Sequence, residues 1–220
     1  MSRYAILSDV HGRIDRLRTV LADARQRRAT AFVDLGDVVY DACYDLLRQV
    51  DAQAVFGNYE VTRWGDLSAE NQRWVRALPP LLAGDTFLAA HAVPYFPNGI
   101  QSVDQVIDYM LLHNIRWNAL FPRIDQDESA RWLTCAELQV REKRIFFHGH
   151  THVQEVWRVD ADGLMIPLHE CVIQINADGC YIVGVGSVGQ PQEGCEPRYA
   201  IYDQALATVE LCKVGAGFAP

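Results

Sequence analysis

Five polar residues, Asp9, Asp37, Asn58, His91 and His150, each stand just beyond the end of a short apolar run. That placement constrains the fold more than any other feature of the chain. The runs Tyr4–Ser8, Ala31–Leu35, Ala54–Phe56, Thr86–Ala90 and Arg144–Phe147 have the length and character of buried strands. Between the first two, Ile14, Leu17, Leu21 and Ala24 recur at helical spacing, with Arg16, Arg18, Arg25 and Arg27 between them, which predicts an amphipathic helix. Residues 43–50 and 68–78 read as further helices, the second stopped by Pro79-Pro80. Strands alternating with helices predict β-α-β units. In open α/β sheets the loops at the carboxyl ends of the strands converge on one ligand site, so the five placements predict a single polar site assembled from distant parts of the chain.

The last third changes character. Glu155–Val159, Glu170–Ile175, Cys180–Val185, Tyr199–Tyr202 and Thr208–Val214 are strand-like, and Asn176-Ala177-Asp178-Gly179 carries the turn residues of a hairpin between two of them. These predict an antiparallel sheet at the end of one α/β domain spanning the 220 residues. Residues 101–121 and 128–142 read as two helices with no strand between them, an insertion (101–142) between two strands that bear site residues. The aromatic residues of the stretch from Tyr95 to Trp132 have two readings. Tyr95, Phe96, Tyr109, Trp117, Phe121 and Trp132 either line a pocket that stacks a planar group or seal the inserted helices onto the domain, and sealing is the commoner fate of such residues.

The residue types at the predicted site suit divalent cations. Carboxylates and imidazoles without thiolates favour Mn, Fe, Zn or Ni over Cu(I) or iron–sulfur clusters. Asp9-Val10-His11 and His150-Thr151-His152 each place two donors two residues apart, a spacing that puts both on one side of an extended segment. Gly36, Gly57 and Gly149 each precede one of these residues and admit close backbone approach. His148 stands two residues before His150 and could face the same side, but a structural or supporting role is the commoner one; His113 and His169 have no partner pattern and read as structural. Twenty basic against 28 acidic residues leave a net charge of -8. That balance opposes general nucleic-acid binding, while bound cations can still attract an anionic substrate locally. No run approaches a membrane span or an export signal, so a cytoplasmic protein with buried, reduced thiols at Cys43, Cys135, Cys171, Cys180, Cys195 and Cys212 is expected.

Taken in order, Asp9-x-His11, Gly36-Asp37, Gly57-Asn58, the strand-terminal His91 and Gly149-His150-x-His152 resemble the motifs of the calcineurin-like metallophosphoesterases, over nearly the whole chain. Gly186-Ser187-Val188-Gly189-Gln190-Pro191 followed by Arg198-Tyr199-Ala200-Ile201-Tyr202-Asp203 resembles the ending of that family's small bacterial phosphodiesterase branch. The resemblance implies an α/β fold of the metallophosphoesterase type, a four-layer αββα β-sandwich flanked by helices, with 101–142 as a helical cap. It also implies two divalent metal ions, with Mn favoured. Asp9, His11, Asp37 and His152 would hold one, and Asn58, His91 and His150 the other, with Asp37 bridging. A hydroxide shared by the two ions would attack phosphorus.

The sequence departs from the family after Asn58, where many members have His and this chain has Tyr59. A phenol with an ordinary pKa near 10 is a weaker acid than imidazolium, yet Tyr59 is the residue placed to donate to a leaving group. The departure favours a small phosphodiester or nucleotide as substrate, a dinucleoside polyphosphate being one instance, over a phosphoprotein. A phosphomonoesterase, or a metal-binding scaffold like the phosphoesterase-like subunit of retromer, is the alternative. Oligomeric state leaves no mark in this sequence.

Overall fold

The computed structural model describes residues 2–160 and 162–215. Its strands are β1 (Arg3–Leu7), β2 (Ala31–Asp34), β3 (Gln53–Ala54), β4 (Leu81–Ala83), β5 (Phe87–Ala90), β6 (Ile145–His148), β7 (Gln154–Val159), β8 (Met165–Leu168), β9 (Val172–Gln174), β10 (Cys180–Val185), β11 (Arg198–Asp203) and β12 (Thr208–Lys213). The helices are α1 (Ile14–Gln26), α2 (Asp41–Gln49), α3 (Asn58–Arg63), α4 (Ala69–Arg76), α5 (Val103–His113) and α6 (Glu128–Val140).

Side-chain alternation within the strands decides the layering, because successive residues point to opposite faces. In β1, Ala5 and Leu7 join a core with Leu17, Val20 and Leu21 of α1, while Ile6 faces the other way. In β6, Ile145 and Phe147 share the core of Ile6, while Phe146 packs with Ala130, Cys135 and Leu138 of α6. Three cores therefore separate four layers: helices, sheet, sheet, helix. Tyr202 of β11 lies 5.8 Å from Phe147 and 5.9 Å from Phe87, ring centre to ring centre, across the gap between the sheets. On the helical side, Tyr199 donates to buried Asp23 at 2.5 Å and Arg27 donates to the same carboxylate at 2.8 Å, tying α1 to β11.

The first sheet runs β3-β2-β1-β11-β12-β9 and the second β4-β5-β6-β10-β7-β8. Both sheets are mixed: β1 pairs parallel with β2 and antiparallel with β11, and β10 pairs parallel with β6 and antiparallel with β7. This corrects the expected separate antiparallel sheet. It also corrects the hairpin at 176–179: β9 pairs with β12 in the first sheet, whereas β10 lies between β6 and β7 in the second. Tyr181, Ile182 and Val183 are buried on both faces of β10, which an edge hairpin would not allow, so the turn carries the chain from one sheet to the other.

Other boundaries also move. The helix expected over 101–121 ends at His113, where Asn114 takes a left-handed φ of 49° and caps it. A 3-10 turn, Trp117–Ala119, follows. The short elements α3, β4 and β8 are too brief to show a periodic pattern. All six cysteines are free thiols, but only Cys43, Cys135 and Cys212 are buried as expected, Cys171 and Cys195 being exposed; no helix is long and apolar enough to cross a membrane among the described residues.

Phe147 is fully buried at the centre of the inter-sheet core. Phe147→Ala is expected to cost about 3–5 kcal/mol and to lower Tm by roughly 6–20 °C in calorimetry. A shift under about 2 °C would contradict the assigned core.

Candidate metal centre

The site forms where β1, β2, β5 and β6 end, and the loops that leave them are laced together by their backbones. The N–H of Asp9 donates to the Gly36 carbonyl at 3.0 Å, that of His11 to Asp37 at 2.9 Å, and that of Gly149 to His91 at 2.9 Å. From the loop before β11, Gly189 N–H donates to the Asp9 carbonyl at 2.9 Å and Ser187 Oγ to the same oxygen at 2.8 Å. Gly149 is required by space: a Cβ there would overlap Ser8 Oγ and come within 2.6 Å of Asp9 Oδ2. Gly57 is required likewise, since a Cβ would come within 2.8 Å of the Asp37 nitrogen and 2.9 Å of His91 Cε1.

The expectation that Asp9 and His11, or His150 and His152, share a side of extended backbone is not met. Asp9, His11, Asp37, His150 and His152 all have left-handed φ, between 46° and 61°. Such a conformation costs non-glycine residues about 1–3 kcal/mol each and persists only where the surroundings dictate it. Here those surroundings are the crossed loop hydrogen bonds, and the sharp turns aim the side chains inward.

Two groups of donor atoms result, Asp9–His11–His152 and Asp9–Asp37–His91. Asp9 Oδ1 lies 3.1 Å from His152 Nε2 and 3.6 Å from His11 Nε2, and the two imidazole nitrogens face each other at 3.0 Å. Asp37 turns one oxygen each way: Oδ2 lies 4.0 Å from His11 Nε2 and Oδ1 3.6 Å from His91 Nε2. Asn58 Oδ1 adds to the second group, 3.2 Å from His91 Nε2. His150 borders that group without entering it; its ring centre is 5.0 Å from that of His91, and its backbone N–H donates to Asp9 Oδ2 at 2.9 Å. Tyr59 N–H donates to Asp37 Oδ1 at 2.8 Å, and its ring meets that of His11 edge-on at 5.0 Å. His148 points away, its ring against Phe146, and burial lowers its pKa to about 4.

Tautomers follow from the partners. A carbonyl can only accept, so His91 Nδ1–H donates to Leu35 at 2.7 Å and His152 Nδ1–H to Gln190 at 2.7 Å. Each ring then turns Nε2 toward the carboxylates, the arrangement usual for metal-bound histidine. Burial alone would lower the His152 pKa, but Asp9 holds it above its ordinary value. Asp9 Oδ1 is buried and without a hydrogen-bond partner. The ion pairs of Asp9 and Asp37 among the described residues are all with histidines. Carboxylate oxygens and imidazole Nε2 atoms converging with no lysine or arginine paired to them among the described residues fit divalent cations.

Electrostatics agree. Burial alone would raise the Asp9 carboxyl, but His11 and His152 beside it, helped by His91, hold it well below the usual range. Burial and the charges of Glu60 and Asp9 push Asp37 well above it, although the Tyr59 N–H opposes this. Burial and neighbouring His91 lower His150 to about 3, so its ring is neutral and free to coordinate.

A model of the calcineurin-like phosphoesterase superfamily domain matches residues 3–205. The chain belongs to that superfamily. Calcineurin-like phosphoesterases are divalent-metal-dependent hydrolases, and this member carries candidate ligands for such ions. It is similar to the uncharacterized protein MJ0912 of Methanocaldococcus jannaschii, with 25% identity over 243 residues covering 97% of this chain and 87% of that one. Among solved structures, it resembles a metallophosphoesterase from Sphaerobacter thermophilus, with TM-score 0.73, 23% identity and coverage of 97% and 88%. It also resembles the hypothetical protein PH1004 of Pyrococcus horikoshii, with TM-score 0.63, 12% identity and coverage of 97% and 88%.

Glu60 is a site residue that the motifs do not single out. Buried to 1% exposure, it accepts from the backbone N–H groups of Asp37 (2.8 Å), Val38 (2.9 Å) and Gly57 (2.7 Å), and from Tyr44 Oη (2.6 Å). It thus pins the loop of Asp37 to the loop of Asn58. The one signal that could have found it is Gly57-x-x-Glu60, the spacing at which a glutamate reaches back to cap its own helix. Glu60→Gln would turn an NH2 group toward donors. It is expected to cost about 3 kcal/mol, lower Tm by roughly 6–12 °C and weaken calorimetric Mn²⁺ binding about 10–100-fold. Unchanged metal affinity would refute the bracing role.

Proposed function

We propose that this protein hydrolyses a small phosphodiester or nucleotide at a binuclear metal centre. Asp9, His11, Asp37 and His152 hold one ion, Asn58, His91 and His150 the other, and Asp37 lies between them. The observation that carries this reading is the pair of Nε2 atoms, on His91 and His152, held facing buried carboxylates that have no lysine or arginine beside them among the described residues. When bound, two divalent ions, Mn being favoured for this donor set, would lower the pKa of a shared water toward about 7 and draw charge from the phosphoryl oxygens.

The chain's own residues supply position and protons. The carbonyls of Leu35 and Gln190 fix the rings of His91 and His152. Tyr59 takes the place of the usual histidine, beside His11, and its hydroxyl donates to the departing oxygen. A neutral phenol there suits a diester, whose single negative charge calls for less cationic help than a monoester dianion does. Residues 101–142 act as a cap. The complete donor set favours an enzyme over a scaffold.

The test uses metal-reconstituted protein on bis-p-nitrophenyl phosphate and p-nitrophenyl phosphate, with chelated protein and Asp37→Asn as controls. Turnover is expected to prefer the diester and to fall at least about a hundredfold in both controls. Full activity after chelation would refute the mechanism, and preference for the monoester would refute the substrate class. Tyr59→Phe is expected to lower kcat about a hundredfold on a diester with an alkyl leaving group and to leave bis-p-nitrophenyl phosphate within about threefold, because nitrophenolate departs without a proton. An equal loss on both would contradict proton donation by Tyr59.

A further inference from the structure

The aromatic residues of the insertion and its approach divide into two kinds. Phe121 is 2% exposed and packs edge-on against Phe56 and Phe96, with ring centres 6.3 and 5.7 Å away. Those rings seal the insertion onto the domain. Trp117, four residues before Phe121, remains 37% exposed, although its ring lies 6.1 Å from that of His150 at an interplanar angle of 83°. The other exposed apolar residues of the insertion, Leu111, Leu112, Trp132, Leu133 and Val140, lie along α5 and α6.

Trp117 is also held in place. Its carbonyl accepts from Leu120 N–H at 2.9 Å and Phe121 N–H at 3.2 Å, closing the turn. That turn packs against α3, which begins with Asn58 and Tyr59. A tryptophan that sealed the insertion would be buried like Phe121. One kept half in solvent, on a fixed backbone and beside a residue of the metal centre, is arranged to receive something flat.

We propose that Trp117 forms a stacking subsite for a planar aromatic group carried by the phosphate ester, of which a nucleobase is the biological example. This rests on the phosphoesterase reading above and narrows its substrate to one with such a group within reach of the phosphate. The indole offers a large rigid π-face, stacking is tolerant of base identity, and the contact is lost when the aromatic ring is removed. At an interplanar angle of 83°, the imidazole of His150 does not stack on the indole.

The test measures binding without turnover, on Mn²⁺-loaded protein, by calorimetry with the non-hydrolysable methylenephosphonate isosteres of AMP and of ribose 5-phosphate. The AMP isostere is expected to bind about tenfold more tightly. Trp117→Ala should remove that advantage and leave the ribose isostere unchanged, while Trp117→Phe should keep most of it. Equal binding of the two isosteres, or an equal loss of both in Trp117→Ala, would overturn the subsite and leave the phosphate site standing. Failure of both to bind protein with Mn²⁺ demonstrably loaded would overturn the phosphoesterase reading and the subsite with it.

Discussion

A dense group of buried acids is the constraint on which the rest of this structure depends. Asp9, Asp34, Asp37 and Glu60 are all at most 2% exposed, and among the described residues no lysine or arginine forms an ion pair with any of them. Charges removed from water must be paired or neutralised. Glu60 is stabilised by four donors that also brace the loops. Asp34 and Asp37 are instead driven toward the neutral form, by burial first and then by their acidic neighbours. Asp9 stays ionised only because histidines crowd it. Buried acids are thus concentrated in one place, where divalent cations would stabilise them.

The backbone carries strain at the same place. Five of the seven residues assigned to the metals sit in left-handed conformations that a freely chosen sequence would give to glycine or asparagine. Local strain concentrated on the same residues as the electrostatic strain fits a functional site held in shape by its surroundings. The bracing comes from the crossed loop hydrogen bonds, from Glu60, and from a rigid sandwich beneath, whose central strands carry the loops.

Much of this is legible in the sequence, for a physical reason. Strand periodicity and the polar residue at each strand end are local signals, so the chain alone reveals the first strands, α1 and the convergence of Asp9, Asp37, Asn58 and His91. What depends on distant partners stays hidden. Whether β10 pairs with β9 or inserts between β6 and β7 is decided by burial on both faces. Glu60 passes for an ordinary helical glutamate because two of its partners are backbone N–H groups more than twenty residues away. Nor can alternation reveal the turn at Asp9 and His11, where backbone contacts override the extended conformation. The aromatic residues of this stretch leave two readings open to the sequence: in the structure Phe121 seals, while Trp117 stays partly exposed beside His150.

The central claim is that two cations occupy this cluster. The most direct measurement is a crystal structure of the Mn²⁺-loaded protein with anomalous data collected at the manganese edge. The account predicts two anomalous peaks about 3.5–4 Å apart, one bounded by Asp9, His11 and His152, the other by Asn58, His91 and His150, with Asp37 between them. A single peak, or peaks elsewhere with this cluster empty, would contradict it.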